Sequence, residues 1–219
     1  MKIIDLSLLI DNECMTCGTP WHEHVNIEQL GKIEEVGRNT SRIVLGSHSA
    51  THMDAPKHFL QDGYGIDELD LRICIGDVTC VDFRKLNKSI VEIDDLRGIR
   101  ITERMLFAFG WYEKWKTESY YRAFPFFSES AIKYLVDNGM RLIALDTPSP
   151  DDGSSIHEKD DSPNHKILLT KDVVIVEYLT NTEDIDFSKK HEIIALPLKI
   201  KGIDGSPSRV ILKERDNDE

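Results

Sequence analysis

The chain has 219 residues, of which 40% are apolar and 30% are charged, a composition typical of a single soluble globular domain. Its formal net charge of −12 argues against a nucleic-acid binder and against attraction to anionic membranes, since both need a basic face. Asp5 and Asp11 interrupt the N-terminal apolar run too early for a signal peptide, and no apolar stretch approaches the roughly 20 residues that span a bilayer, so we expect a cytoplasmic protein.

Strands and a few helices follow one another along the chain and predict an α/β fold with a mixed sheet. The predicted strands cover residues 2–10, 40–47, 75–83, 104–111, 141–146, 173–179, 192–200 and 208–214. A short helix is predicted over residues 92–98, and a longer one runs from Ser128, a capping residue, to Gly139. A third helix is predicted to begin with Ser162 as its cap and Pro163 at its first position.

Neither internal repeats nor linkers divide the sequence. We expect a single domain over residues 1–213, followed by a disordered, charged tail over residues 214–219. The patterns GxGxxG, GxxxxGK[ST] and GxSxG are absent. Dinucleotide-binding, P-loop and serine-hydrolase interpretations therefore lack their anchoring motifs.

Four cysteines, Cys14, Cys17, Cys74 and Cys80, fit a reducing compartment. Cys14 and Cys17 have the spacing of a zinc knuckle or of a redox pair. A structural zinc site usually needs a second such pair, and Cys74 and Cys80 are separated by five residues rather than two. The residues around Cys14 are typical of a loop, whereas a thioredoxin-like pair begins a helix. Free thiols are therefore the favoured interpretation, and a redox protein is an alternative.

The stretch GSHSATHMDAPKHF, residues 46–59, places three of the eight histidines beside one aspartate. Alternate positions of an extended chain share a face, here His48, His52, Asp54 and His58. Ten extended steps would span roughly 33 Å, so the segment must bend, or His48 and His52 must meet on one helical turn. Either geometry gathers a ligand set that suits zinc or manganese. Separately satisfied surface or capping histidines are the alternative, but the clustering favours a metal-dependent hydrolytic site.

Glu177 interrupts the apolar run of residues 173–179. Burying an unpaired carboxylate is costly, and a metal ion would remove that cost. Exposure on an edge strand, or pairing with a lysine, is the alternative. Every second residue of a strand points to the same face, so Glu177 shares a face with Val173 and Ile175. We therefore expect Glu177 to be buried.

Four blocks of the sequence carry a family resemblance. HSATHMDAPKHF, residues 48–59, is similar to the signature HxGTHxDxPxH. The later blocks are GWYEKW…YRAFPFFSESAIKYLVDNGMRLIALDTPSPD, SPNHKILLTKDVVIVEYL and IIALPLKIKGIDGSPSRVI. In this order, and over nearly the whole chain, they resemble the cyclase-like metal-dependent hydrolases, which include bacterial kynurenine formamidase and isatin hydrolase.

The resemblance implies a swivelling β/β/α fold with a mixed β-sheet core and a centre of two divalent metal ions, for which zinc is the favoured metal and manganese the alternative. The implied ligands are His48, His52 and Asp54 for the first ion, Asp54 and Glu177 as bridges, and His165 for the second ion. His157 is the rival for the last role, but His165 has the family's spacing of twelve residues to Glu177. In isatin-hydrolase relatives, the position of His165 resembles Gln. The histidine therefore favours a resemblance to the formamidases over the isatin hydrolases.

The same resemblance implies His58 as the acid–base catalyst. The two cations would lower the pKa of a water toward about 7, and His58 would take its proton and return it to the leaving amine. The expected substrate is N-formyl-L-kynurenine, whose aryl group needs a flat apolar slot. Candidates for this slot are Trp21, Phe59, Trp111, Phe126 and Phe127. Trp21 lies where the family's N-terminal stretch helps line the pocket, so it is the predicted substrate-binding residue.

Two departures from the family pattern leave alternatives open. Ala50 replaces the signature glycine, which would strain a turn that needs positive φ. The family's N-terminal Pro-Gly stretch is here MTCGTPWHEHV. The alternatives are a hydrolase of a cyclic amide, a lactone or another acyl compound, and a non-catalytic metal-binding protein, which would not need His58. The resemblance further implies a homodimer or a larger homo-oligomer.

Overall fold

The computed structural model describes residues 2–155 and 161–215. Its strands are β1 (Ile3–Asp5), β2 (Asn26–Gly31), β3 (Thr40–Val44), β4 (His52–Asp54), β5 (Ile75–Asp82), β6 (Ile90–Val91), β7 (Arg104–Ala108), β8 (Phe126–Phe127), β9 (Leu142–Leu145), β10 (Val174–Glu177), β11 (Lys190–Pro197) and β12 (Gly205–Arg215). Its α-helices are α1 (Ile33–Val36), α2 (Leu71–Cys74), α3 (Glu129–Asp137) and α4 (Pro163–Thr170). No helix in these two ranges is long and apolar enough to cross a membrane.

The long strand β12 closes the main sheet into a barrel. Strands pair in the order β12-β11-β5-β7-β9-β10-β4, and β4 pairs in turn with the start of β12. Both pairings are possible because residues 205–207 lie beside β4, whereas residues 208–215 lie beside β11. Strands β5, β7, β9 and β10 are parallel, and the other pairs in the barrel are antiparallel. The predicted α/β class with a mixed sheet is therefore confirmed.

Two apolar layers stabilise the barrel and its helices. Successive side chains of a strand point to opposite faces, so Leu106 and Val176 pack inside the barrel. Phe107 and Ile175 instead pack outside it, against Leu135 of α3 and other buried residues of α3 and α4. The face of β10 that carries Ile175 is therefore the helix-covered face.

Helix α3 begins and ends as the sequence predicts. Ser128 accepts a hydrogen bond from the backbone N–H of Ala131 at 3.2 Å, and so caps the first turn. Gly139 follows the helix with a φ of 96°, a conformation that favours glycine. Ala131, Ile132 and Leu135 form the buried face.

Helix α4 begins with Pro163 as predicted, but Ser162 does not cap it. Ser162 has a φ of 60° and a ψ of 50°, and its side chain makes no capping hydrogen bond. Asp151 takes this role from a distant loop, since its Oδ1 accepts the N–H of Asn164 at 2.6 Å and its Oδ2 accepts the N–H of His165 at 3.0 Å. Asp151 therefore anchors the first turn of α4 to the loop that follows β9.

Some predicted boundaries are wrong. The N-terminal strand is shorter than residues 2–10, and residues 92–98 contain only one 3₁₀ turn rather than an α-helix. The tail was predicted to begin at Glu214, yet Glu214 and Arg215 belong to β12, where pairing with β11 satisfies their backbone. Residues 216–219 lie outside the described part of the chain.

The four cysteines carry free thiols. Cys14 is buried and its Sγ donates to the carbonyl of Leu9 at 3.5 Å, while the Sγ of Cys17 lies 2.5 Å from Nδ1 of His22. Burial raises the pKa of both Cys74 and Cys80 to about 12. Those two thiols are therefore protonated near neutral pH and poorly reactive.

Candidate metal centre

The histidine-rich segment bends, and a helical turn from His48 to His52 is not formed. Residues 47–51 are turns and bends, β4 covers His52–Asp54, and a 3₁₀ turn covers Pro56–His58. Of the two predicted geometries, the bent chain is therefore the one observed. The bend returns the ring of His48 to within 4.9 Å of the ring of His52, centroid to centroid.

Ala50 lies within this bend and has a φ of 54°, so the position does require the left-handed conformation that glycine adopts without strain. Its methyl group is almost completely buried and packs with Cys14 and Val25. The substitution of alanine for the signature glycine therefore introduces strain and apolar contact together.

Replacing Ala50 with glycine should change the free energy of unfolding by less than about 1 kcal/mol. Relief of about 1–2 kcal/mol of left-handed strain opposes a loss of about 0.8 kcal/mol of methyl burial and about 0.4–1 kcal/mol from the freer unfolded chain. Ala50→Val, which adds β-branching at positive φ, should cost more than about 2 kcal/mol. Urea unfolding of both variants measures this, and a glycine variant stabilised by over about 2 kcal/mol would contradict the balance.

The pairing of β4 with β10 brings distant residues together. Glu177 is directly opposite His52, and Ile175 is opposite Asp54. His52, Asp54 and Glu177 therefore share one face of the sheet, and their exposed fractions are 2%, 1% and 4%. The predicted burial of Glu177 is confirmed.

His48 and His52 lie on one side of the two carboxylates. His52 Nε2 is 3.4 Å from Asp54 Oδ1 and 3.3 Å from Glu177 Oε2. His48 Nδ1 is 2.9 Å from the same Asp54 oxygen. His52 thus faces one oxygen of each carboxylate, and His48 faces the same oxygen of Asp54.

His165, on α4, lies on the other side. Its Nε2 is 3.4 Å from Asp54 Oδ2 and 3.3 Å from Glu177 Oε1. Each carboxylate therefore turns one oxygen toward His52 and the other toward His165, an orientation that would let both carboxylates be shared by two cations. His157, the rival of His165, lies outside the described residues.

The carboxylate oxygens test whether metal ions fit here. Among the described residues, both Asp54 oxygens and Glu177 Oε1 are buried without a hydrogen-bond partner, and their close neighbours are the imidazole nitrogens of His48, His52 and His165. Burial opposes ionisation, but His48 and His165 hold the pKa of Asp54 well below its usual range. Ionised, buried oxygens that face imidazole nitrogens are ligands for a divalent cation, so these residues fit a metal centre.

An acceptor outside the centre orients each of the three histidines. His52 Nδ1 lies 2.8 Å from the carbonyl oxygen of Ala50, and His165 Nδ1 lies 2.7 Å from Asp151 Oδ2. His48 Nε2 lies 2.6 Å from Asp204 Oδ2. A nitrogen that donates outward leaves the other ring nitrogen free to face a cation.

Asp151 and Asp204 were not predicted as site residues. They are 14 and 156 positions from the histidines that they contact, so no local spacing indicates either one. Asp151 could be found only by asking which residue caps α4, because the side chain of Ser162 does not. The signal for Asp204 was its place in GIDGSP, the last of the four blocks.

His58 lies beside the centre and is partly open to solvent, with 24% of its side chain exposed. Its ring centroid is 4.0 Å from that of His48, and its Nδ1 is 3.4 Å from Asp204 Oδ2. Burial, together with the charge of His48, lowers the pKa of His58 below its usual value of 6.5. The ring is therefore neutral near pH 7, the form in which it accepts a proton.

A cavity of about 780 Å³ opens above the centre. Its floor contains the site histidines and Glu177, and its walls include Trp21 and Phe59. Trp111, Phe126 and Phe127, the other predicted wall residues, do not line it; Trp111 and Phe127 pack in the outer apolar layer instead. Trp21 is 71% exposed, so it stands at the mouth.

Known proteins resemble this chain in both sequence and fold. The chain is 30% identical over 218 residues to the kynurenine formamidase of Bacillus anthracis, with 97% of each chain covered. Its fold matches an isatin hydrolase bound to the product analogue thioisatinate, with a TM-score of 0.86, 21% identity, and coverage of 98% of this chain and 93% of that one. A potential metal-dependent hydrolase with cyclase activity matches with a TM-score of 0.80, 24% identity and 98% of both chains covered.

The isatin hydrolase and the second solved structure share the fold of this chain, which agrees with the predicted swivelling β/β/α class. The model of the Cyclase family, described as "Putative cyclase", matches residues 4–152, well over half of the sequence. The chain therefore belongs to the cyclase family.

Proposed function

We propose that this chain hydrolyses N-formyl-L-kynurenine to formate and kynurenine at a centre of two divalent cations, with zinc as the favoured metal and manganese as the alternative. At the broader level it is a metal-dependent amidohydrolase of the cyclase family. The observation that carries the proposal is the opposed orientation of the carboxylate oxygens, since Asp54 and Glu177 each face His52 with one oxygen and His165 with the other.

In the proposed assignment, each cation has its own histidines and both share the carboxylates. His48, His52 and Asp54 would hold the first ion, Asp54 and Glu177 would bridge, and His165 would complete the second. The mixture of imidazole nitrogens and carboxylate oxygens supports zinc or manganese over calcium and magnesium.

His58 is the proposed acid–base catalyst. Bound cations would supply Lewis-acid chemistry, which acidifies a water and polarises the scissile carbonyl. His58 faces the cavity and is neutral near pH 7, so it can take the proton of the attacking water. The same imidazole then returns the proton to the amine that leaves when the C–N bond breaks.

The cavity supports an aromatic substrate. Phe59 lies next to the catalytic ring, with its centroid 4.5 Å from that of His58 and 5.0 Å from that of His165. Trp21 provides a second flat apolar surface at the mouth. Trp21 is therefore proposed to contact the aryl group of the substrate.

Purified protein should carry two equivalents of zinc or manganese and hydrolyse N-formyl-L-kynurenine faster than isatin or simple lactones. Elemental analysis and product absorbance measure both properties. A metal-loaded protein that opens isatin faster would assign cyclic-amide hydrolysis instead. A metal-loaded protein inert on the whole panel would support a binding role, and a folded, chelator-free sample without metal would contradict the centre itself.

A cytoplasmic homodimer, or a larger homo-oligomer, is also proposed. Strands β2 and β3 pair with each other in a two-stranded sheet that is separate from the barrel. On and beside this hairpin, Leu30, Ile33 and Ile43 are each about 60% exposed. Exposed apolar side chains grouped in this way are typical of contact surfaces between subunits.

A further inference from the structure

We infer that Asp204 is a positioning residue that orients His48 and His58 through a single carboxylate oxygen. Its Oδ2 lies 2.6 Å from Nε2 of His48 and 3.4 Å from Nδ1 of His58. Asp204 lines the cavity in the loop that joins β11 to β12. The His58 part of this inference rests on the proposed function, whereas the His48 part concerns only metal binding.

The His48 ring is held from two directions. Its Nε2 donates to Asp204, so that, when a cation is bound, Nδ1 would carry the lone pair that faces it. The neighbouring Gly205 leaves room for the ring, since a Cβ at that position would lie 2.8 Å from Cε1 of His48. The Asp204 carboxylate and the glycine at position 205 thus select one orientation of the His48 imidazole.

For His58, the same oxygen selects which nitrogen carries the proton. An Nδ1–H that points toward Asp204 leaves Nε2 unprotonated and able to accept the proton of a water. A separation of 3.4 Å is longer than a good hydrogen bond, but catalytic hydrogen bonds commonly tighten when substrate binds. Asp204 would therefore act on turnover through His58 and on metal affinity through His48.

The backbone around Asp204 is anchored without its carboxylate. The N–H of Ala55 donates to the carbonyl of Asp204 at 2.9 Å, and the N–H of Gly202 donates to Asp67 Oδ1 at 2.7 Å. The Asp204 side chain is 38% exposed, so its removal leaves no large buried cavity. Substitution of Asp204 should therefore test orientation of the histidines rather than folding of the loop.

The experiment compares zinc-loaded wild type with Asp204→Ala and Asp204→Asn, and uses Asp67→Asn as the matched control, since it removes a carboxylate that contacts the loop backbone rather than a histidine. Competition with a chelator gives zinc affinity, and hydrolysis of N-formyl-L-kynurenine gives kcat and KM. Both Asp204 variants should lose about 10–100-fold in zinc affinity and in kcat, with KM within about threefold of wild type. Asp67→Asn should match wild type.

Histidine tautomers provide a test that needs no variant. Long-range ¹H–¹⁵N correlation spectra of the zinc-loaded wild type should show the His58 proton on Nδ1. A proton on Nε2 would overturn the assignment for His58, even where the Asp204 variants fail to fold.

The remaining outcomes separate this inference from the proposed function. Zinc affinity and kcat within about twofold of wild type in both Asp204 variants would overturn it, as would an equal loss in Asp67→Asn. A wild type that binds zinc but leaves the formamide intact would contradict the proposed function only. The zinc competition would then still decide whether Asp204 orients His48.

Discussion

His58→Ala should lower kcat by about 10²–10⁴-fold while the protein retains its metal ions, because a general acid–base group contributes about that much to rate. The ring faces the cavity, and its nearest carboxylate, Asp204, lies outside the centre. Since burial and the neighbouring positive charge lower its pKa, the acidic limb of the wild-type kcat/KM profile should have its midpoint below pH 6.5. Below that midpoint the ring is protonated and activity is lost.

Turnover assays and elemental analysis of the same samples test this prediction. His24→Ala is the control, because His24 is exposed and lies outside the cavity lining. Metal loss together with activity loss would instead make His58 a ligand. That outcome has a geometric basis, since His48, Asp54 and His58 offer ligand atoms within 4.8 Å of one another.

Glu177→Gln should abolish the stabilisation that metal gives to wild type. A ligand present at about 1,000 times its Kd stabilises the folded state by about 4 kcal/mol, equivalent to roughly 8–16 °C in Tm for a domain of this size. The amide cannot bridge two cations as a carboxylate does, so the variant should show little change in Tm when zinc is added. Thermal unfolding with zinc and with chelator measures the difference.

The difference in thermal stability between wild type and Glu177→Gln should reverse in sign when metal is removed. With chelator present, no cation offsets the cost of burying the Glu177 side chain close to the Asp54 carboxylate, a cost that the glutamine variant reduces. The variant should then be at least as stable as wild type. Glu192→Gln is the control, since Glu192 pairs with Lys213 at 3.2 Å on β11, which is not a neighbour of β4 or β10 in the barrel. A glutamine variant still stabilised by zinc would remove Glu177 from the proposed ligands.

The sequence predicts the residue types of the site better than their geometry. Three histidines and an aspartate within residues 48–58 indicate ligands without any knowledge of the fold. The bend that gathers them depends on the left-handed Ala50 and on pairing of the three-residue strand β4 with β10, which is over 120 residues away. Propensity over so short a strand carries too little information to predict it.

Residues that act through tertiary contacts could not be predicted in this way. Ser162 and Pro163 form a standard helix start, yet the left-handed backbone at Ser162 leaves the cap to Asp151. Asp204 likewise has no local pattern, since its role appears only when the loop before β12 reaches His48. Strong local signals, such as Ser128 and Gly139 around α3, were confirmed because both ends of that helix are determined by adjacent residues.

The alternation along β4 has a consequence for assembly of the molecule. His52 and Asp54 flank Met53, which faces the barrel interior, so a slip of one residue against β10 would reverse all three side chains. A slipped chain would present a thioether to Glu177 and could not chelate. Cations would therefore stabilise only molecules in which β4 and β10 pair in the correct register. Metal uptake would thus select for the correct strand register during folding.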